Sequence, residues 1–269
     1  MKKSNSRRKA SKTIKYILNC LPSRDTQNDW TMANAEEAGS LARSAIPRSK
    51  NLREDWWEIG AQGTTGSCVG WATADSVLRW HFVKTGQLDE DEKLSPRFIW
   101  MASKETDAFV SRPTTFIESD GTSLKAALDI ARKYGAVSDS VLPFGSGRLY
   151  GGSANTFYAV AARLRIASYF NLGTNLADWR SWIARNGPIL TRLNVDAAWD
   201  DAKTNQGNLD TYQPDTARGG HAVALVGYTR DRFVVRNSWG TNWGAGGFAF
   251  ASNAYAAAAF TEAYGVTVW

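Results

Sequence analysis

From Ser67 to about Thr85 the apolar residues Trp71, Ala74, Val77 and Leu78 supply a spacing of three to four residues. That spacing predicts a helix, with Ser67 suited to its N-cap and Gly86 to its end. The same signals predict helices over 123–134, closed by Gly135, and over 176–185, closed by Asn186-Gly187-Pro188. Residues 31–45, rich in alanine and glutamate, predict a further helix before Ile46-Pro47 opens an extended stretch carrying Trp56 and Trp57. Beyond Pro188 the pattern changes. Residues 189–193, 222–226 and 232–236 are strand-like, and the last two form a hairpin across Thr229-Arg230-Asp231. Residues 248–250 and 265–269 add strand. The first half is therefore expected to be mainly helical and the second mainly antiparallel β, an α+β fold with a cleft where the halves meet.

The chain has two cysteines and two histidines among 269 residues. Cys68 falls in the first turn of the helix that starts at Ser67, where the macrodipole favours a thiolate. A thiolate nucleophile needs a base or a positive neighbour. His81 lies thirteen residues further along the same helix, about 20 Å away along the axis, and is expected to be structural or at the surface. That leaves His221, in Gly219-Gly220-His221-Ala222-Val223, followed sixteen residues later by Asn237 in Asn237-Ser238-Trp239-Gly240.

The formal charge of +6 belongs to one end. Residues 1–30 carry eight lysines and arginines against Asp25 and Asp29, so the remainder is neutral. This basic leader is expected to be flexible and solvated, or to touch nucleic acid, an anionic membrane or an acidic partner. Ser6-Arg7-Arg8-Lys9 resembles the start of a twin-arginine export signal, but Lys15 and Asn19 interrupt the apolar run after it and no small-residue cleavage site follows. No stretch approaches the roughly 18 apolar residues of a membrane span. A Cys20–Cys68 disulfide would consume the proposed nucleophile, so both cysteines are read as free and a reducing cytoplasm is expected, with export as the alternative. Neither a metal site nor a phosphate-binding glycine loop is indicated, and no cofactor is expected. Gly151-Gly152-Ser153 and Gly244-Ala245-Gly246-Gly247 read as turns.

From about Ile46 to Trp269 the chain resembles the papain family of cysteine peptidases. The resemblance rests on ordered motifs: Gln62-Gly63, Gly66-Ser67-Cys68, Gly187-Pro188, Gly220-His221-Ala222-Val223, Asn237-Ser238-Trp239-Gly240 and Trp243-Gly244. It implies a papain-like domain over 46–269, with a helical lobe over about 56–165 and a β-barrel-like lobe over about 166–269. It implies Cys68 as nucleophile, His221 as base, Asn237 as the group orienting His221, and Gln62 as an oxyanion donor beside the Cys68 N–H. Trp239 would shield the His221–Asn237 hydrogen bond. Gly121, in Ser119-Asp120-Gly121-Thr122, and Gly220 would line the substrate cleft. Arg192 would stand where the family places a small apolar residue; turned inward it favours an acidic side chain, and otherwise it lies on the surface or pairs with Asp196.

Thr65 stands where the family usually has a cysteine, Val69 where it has a tryptophan, and Gly220 where an acidic residue or asparagine is common. Residues 1–45 are short for the family's inhibitory propeptide. Residues 25–45 are left as a cover on the cleft, a docking arm or a structural element. Peptide or protein is the implied substrate, and the protein is expected to be a monomer or to join a complex through residues 1–45. The same residues also suit a papain-like acyl-transfer enzyme, such as a deamidase or single-target effector, and a non-catalytic papain-fold binding module.

Overall fold

A computed structural model of the protein describes residues 16–41, 45–106, 120–145 and 152–269. The basic stretch from Lys2 to Lys15, residues 42–44 of the predicted first helix, and Gly151 lie outside these. Chain order begins with a short helix α1 (Met32–Glu37) and strand β1 (Lys50–Asn51). A long helix follows in three parts: α2 (Cys68–Gly70), a wider π-helical segment (Trp71–Leu78) and α3 (Arg79–Lys84). Then come α4 (Pro96–Thr106), α5 (Leu124–Lys133), α6 (Ala154–Ala161), β2 (Ile166–Asn171), α7 (Leu176–Arg185), β3 (Ile189–Val195) and β4 (Asn208–Leu209). The chain closes with β5 (Gly219–Tyr228), β6 (Arg232–Arg236), β7 (Phe248–Ser252), α8 (Asn253–Ala259) and β8 (Phe260–Val268).

The strands form one sheet in the order β2-β8-β3-β5-β6-β7-β4, with β1 paired to β5. The α+β expectation holds, with two corrections. The sheet is open and not a closed barrel, and β4 runs parallel to β7. β5 is central and almost wholly buried, flanked by β3 and β6 and covered by the long helix. Its hydrophobic run, Ala222 to Val226, is what a strand buried on both faces requires.

The predicted helices over 123–134 and 176–185 match α5 and α7, with the Ser123 and Asn175 side chains accepting from the N–H groups of Ala126 and Ala177. α4 was not foreseen, although its start carries two signals. Pro96 occupies the first turn, and the Ser95 hydroxyl accepts from the Phe98 N–H at 3.1 Å. The helix expected over 31–45 is only Met32–Glu37. It is tied to β2, because the Asn171 N–H donates to the Trp30 carbonyl at 2.7 Å. The flexible leader expected through residue 30 does not hold for residues 16–30, which pack against both halves.

A buried ionic cluster joins the halves. Arg236, at the end of β6, donates to the Asp75 carboxylate at 2.9 Å and the Ser76 hydroxyl at 2.7 Å, and its guanidinium lies 4.7 Å from the Trp57 ring centroid. Arg79 approaches the same carboxylate at 3.9 Å and donates to the carbonyls of Glu90 and Glu92. One carboxylate thus offsets two buried guanidinium groups. Asp75→Ala leaves both without a counter-charge and is expected to cost about 3–5 kcal/mol, seen as a lower urea midpoint at unchanged slope.

His81 is buried, not at the surface. It packs edge-on against Trp80 at 5.2 Å and close to Gly187, and burial lowers its pKa to about 4. The wider π turns change the angular spacing along the long helix, but His81 still lies thirteen positions beyond Cys68. Below pH 6.5 the unfolded chain binds a proton at this position that the folded chain refuses until about pH 4. Stability is therefore unaffected above pH 6.5 and falls as the pH drops through that window, by roughly 3 kcal/mol at its lower end. A His81→Gln variant is expected to lack this slope in denaturation measured from pH 7 to pH 4.

No helix among the described residues is long and apolar enough to cross a membrane. Nor does any group of three His, Cys, Asp or Glu residues there have the arrangement to hold a metal ion.

Candidate active site

Cys68 starts the long helix and is completely buried against β5. The preceding loop is fixed without a disulfide. The Thr65 hydroxyl donates to the Gln62 carbonyl at 2.7 Å and pairs with the Ser67 hydroxyl at 2.6 Å. Ser67 therefore sits at the N-cap position but spends its side chain on Thr65. Gln62 is anchored three ways. Its N–H donates to the Ser238 carbonyl at 2.8 Å, its Oε1 accepts from the Ser238 hydroxyl at 2.9 Å, and one Nε2 hydrogen goes to the Thr65 carbonyl at 2.9 Å. The second Nε2 hydrogen is not used by these bonds.

The β5–β6 hairpin brings His221 and Asn237 together. Ala224 pairs with Arg236 across the ladder, so the residue after β6 arrives beside the start of β5. His221 Nε2 lies 2.8 Å from Asn237 Oδ1. The Ser238 N–H also donates to that oxygen at 2.8 Å. A backbone N–H can only donate, so the atom is the amide oxygen and Nε2 must carry the imidazole proton. Nδ1 is left to take the proton of the Cys68 thiol. Both side chains are buried.

Aromatic rings wall off this pair. Trp239 lies over His221 with centroids 4.8 Å apart, and Trp199 meets the imidazole edge-on at 5.6 Å. Trp243 stacks on Trp199 at 4.8 Å and donates its indole N–H to the Trp199 carbonyl. Trp199 is held in turn by the Tyr255 hydroxyl, which donates to the buried Asp196 at 2.6 Å. Excluding water lowers the local dielectric and strengthens the His221–Asn237 bond.

The cleft beside Cys68 is filled by the chain's own residues 16–23. The Cys20 N–H donates to the Gly220 carbonyl and the Leu21 N–H to the Thr122 carbonyl, both at 3.0 Å. Asn19 forms a parallel bridge with Gly220, and Leu21 forms one with Ser123. The Ser23 N–H donates to Glu262 at 3.0 Å. Tyr16 stacks flat on Trp239, with centroids 4.0 Å and planes 1° apart. Further along, Asp29 pairs with Lys125 at 2.6 Å and accepts from the Tyr264 hydroxyl at 2.9 Å. Gly121 and Gly220 make the fit possible. A β-carbon at Gly121 would stand 1.9 Å from the Asn19 carbonyl oxygen, and one at Gly220 would stand 2.2 Å from that of Cys20. The segment in the cleft is thus 16–23, upstream of the 25–45 stretch considered from sequence.

Arg192 faces this segment. Its Nε donates to the Cys20 carbonyl at 3.0 Å and its Nη1 to the Thr261 hydroxyl at 2.8 Å. The alternative of a pair with Asp196 is not what is found, because Asp196 is buried beneath Tyr255 and the Gln213 N–H. Glu262, directly opposite Arg192 on β8, offsets part of its charge.

The Cys68 thiol is held well below its ordinary pKa. The largest cause is the adjoining Cys20 thiol, whose S–H points to the Leu21 carbonyl at 3.8 Å; burial opposes it, and the neighbouring His221 favours the thiolate. Cys20 is pushed up, first by burial and then by the neighbouring Cys68. Of the two sulfurs, Cys68 is the one whose surroundings favour the thiolate.

The eight residues singled out from sequence fall into one region: Cys68, His221, Asn237, Gln62 and Trp239 at its centre, with Gly121, Gly220 and Arg192 along the occupied cleft. Tyr16, Cys20 and Trp199 were missed as parts of it. Nothing in local pattern marks a leader residue as a cleft residue, whereas Trp199 is the only aromatic residue between Trp182 and Tyr212, and an isolated tryptophan in so polar a stretch is a signal that could have drawn notice. A separate cavity of about 420 Å³ lies beside α5, lined by Arg24, Lys125, Asp129 and Arg132, and touches neither Cys68 nor His221.

A family model described as papain family cysteine protease matches residues 46–264. Among curated relatives, Macrodontain-1 of Ananas macrodontes is 27% identical over 214 residues, covering 76% of this chain and 88% of that protein. Cathepsin B-like CP3 of Giardia intestinalis is 25% identical over 227 residues, covering 78% of this chain and 70% of that protein. Among solved structures, xylellain, a cysteine protease from Xylella fastidiosa, superposes with a TM-score of 0.75 at 20% identity, covering 97% of this chain and all of that one. Digestive procathepsin L2 from Tenebrio molitor larval midgut gives a TM-score of 0.68 at 21% identity, covering 94% of this chain and 78% of that one.

Proposed function

Since the chain belongs to the papain family of cysteine proteases, we propose that it hydrolyses peptide bonds through Cys68, His221 and Asn237, with Gln62 in the oxyanion hole. The observation that carries this is the proton arrangement of His221: Nε2–H committed to Asn237 and Nδ1 left for the thiol. The Cys68 thiolate attacks the carbonyl carbon of the scissile bond. The developing oxyanion is met by the free Nε2 hydrogen of Gln62 and the Cys68 N–H, which as a first-turn donor has no helical partner. His221, now imidazolium, gives its proton to the leaving amine. A thioester remains, and a water activated by His221 hydrolyses it. Asn237 keeps the ring in register throughout, and Trp239 keeps water from competing for the Nε2–H bond.

In the arrangement with residues 16–23 in the cleft, a peptide substrate is excluded. The backbone groups of Thr122 and Gly220 that would pair with an extended substrate are already used by Leu21 and Cys20, which supports a latent state relieved when the segment leaves. Proteome-derived peptides incubated with the wild type and with Cys68→Ala test the assignment. Cleavages present only with the wild type are expected; identical profiles would refute it.

A further inference from the structure

Cys20 is placed against the proposed nucleophile by its whole backbone. Its N–H is bound to Gly220, its carbonyl to Arg192, and the next N–H to Thr122. The Cys20 thiol donates to the Leu21 carbonyl at 3.8 Å and adjoins Cys68, and both sulfurs are free, buried thiols. Within the cleft ladder Cys20 has no freedom to leave unless the segment leaves with it. Two thiols held in contact have little entropy left to lose on bonding.

We propose that Cys20 and Cys68 form a reversible disulfide under hydrogen peroxide, locking the segment covalently in the cleft and protecting Cys68 from irreversible oxidation. This rests on Cys68 being the reactive thiol of the proposed site. In the first step the Cys68 thiolate attacks one peroxide oxygen. The O–O bond breaks, hydroxide departs and is protonated to water, and Cys68 becomes a sulfenic acid. In the second step Cys20 gives up its thiol proton and its sulfur displaces the sulfenic oxygen. The S–S bond forms, and that oxygen leaves as water with the Cys20 proton. Two thiols lose two electrons in total, and one peroxide becomes two waters. A dithiol reductant reverses the bond. Without Cys20 the sulfenic acid has no neighbouring thiol to meet and proceeds to sulfinic acid, which thiols do not reduce.

The pairing has a further consequence for timing. Peroxide arriving while the segment occupies the cleft yields the locked form; peroxide arriving after the segment has left meets an exposed Cys68 and no resolving thiol. The lock therefore protects the latent protein and not the active one.

The test uses the full-length reduced protein treated with a small excess of hydrogen peroxide, followed by intact-mass measurement and peptide mapping without reductant. The expected wild-type product is about 2 Da lighter, contains a cross-linked Cys20–Cys68 peptide, and recovers both alkylatable thiols with dithiothreitol. Cys20→Ser and Cys20→Ala should instead gain about 32 Da on Cys68, with no recovery. A wild type that gains oxygen on Cys68 as fast as either variant, with no cross-link, overturns the proposal, and this holds even if neither variant folds. The cross-link is read without any substrate. Cross-linking in a protein that hydrolyses no peptide when reduced would sink the peptidase assignment and leave the disulfide standing. Hydrolysis without cross-linking would do the reverse.

Discussion

Replacing His221 with alanine is expected to lower kcat/KM for a fluorogenic peptide by about 10⁴, or roughly 5 kcal/mol of transition-state stabilisation. The variant loses two functions at once. Cys68 loses its base and the positive charge that helps keep it a thiolate, and the leaving amine loses its proton donor. The loss should fall mainly on kcat, because His221 is walled in by Trp199 and Trp239 and does not line the cleft for binding. Asn237→Ala should show a smaller loss, since the ring keeps its aromatic walls while losing one orienting bond. A His221→Ala enzyme within tenfold of the wild type would mean that another group does this work, and His81 is too far along the helix to supply it.

Removing residues 1–23 is expected to raise kcat/KM by about 10². A segment tethered beside its own site acts at an effective concentration in the millimolar range, far above the micromolar peptide it competes with. Its removal should appear as a lower KM at nearly constant kcat, since it changes only the fraction of molecules with an open cleft. The cut spares Asp29, and with it the Lys125 and Tyr264 contacts that bind the leader to the body. In the full chain, Tyr16→Ala removes the stack on Trp239. It should give an intermediate gain of about fivefold, in line with roughly 1 kcal/mol for an aromatic pair. An unchanged KM in both proteins would show that the segment does not compete with substrate.

The chemistry of the site was legible in the sequence because its residues sit in short motifs with their own local signals. Cys68 begins a helix, His221 begins a buried strand, and a three-residue turn between two clear strands returns the chain to Asn237. The supporting shell was less legible. Asp75, shared by Arg79 and Arg236, looks like any helical aspartate until the sheet places Arg236 beside it. Tyr16 and Cys20 sit in a leader whose composition reads as solvated, and their placement depends on a cleft built by residues as far as 223 positions away. The sheet was mistaken for a barrel because alternation along a strand reports its faces and not whether the outermost strands meet. The π turns after Cys68 follow no helical period that apolar spacing alone separates from 3.6.

In the proposed site Cys68 is a thiolate kept reactive by His221, within a cleft that the leader fills. The most direct measurement is the rate at which an epoxide-type thiol reagent labels Cys68, followed by mass spectrometry, in the protein lacking residues 1–23 with and without His221→Ala. Rapid labelling of Cys68 is expected with His221 present, and labelling at least about 10² slower without it. Equal, slow labelling of the two proteins would contradict it.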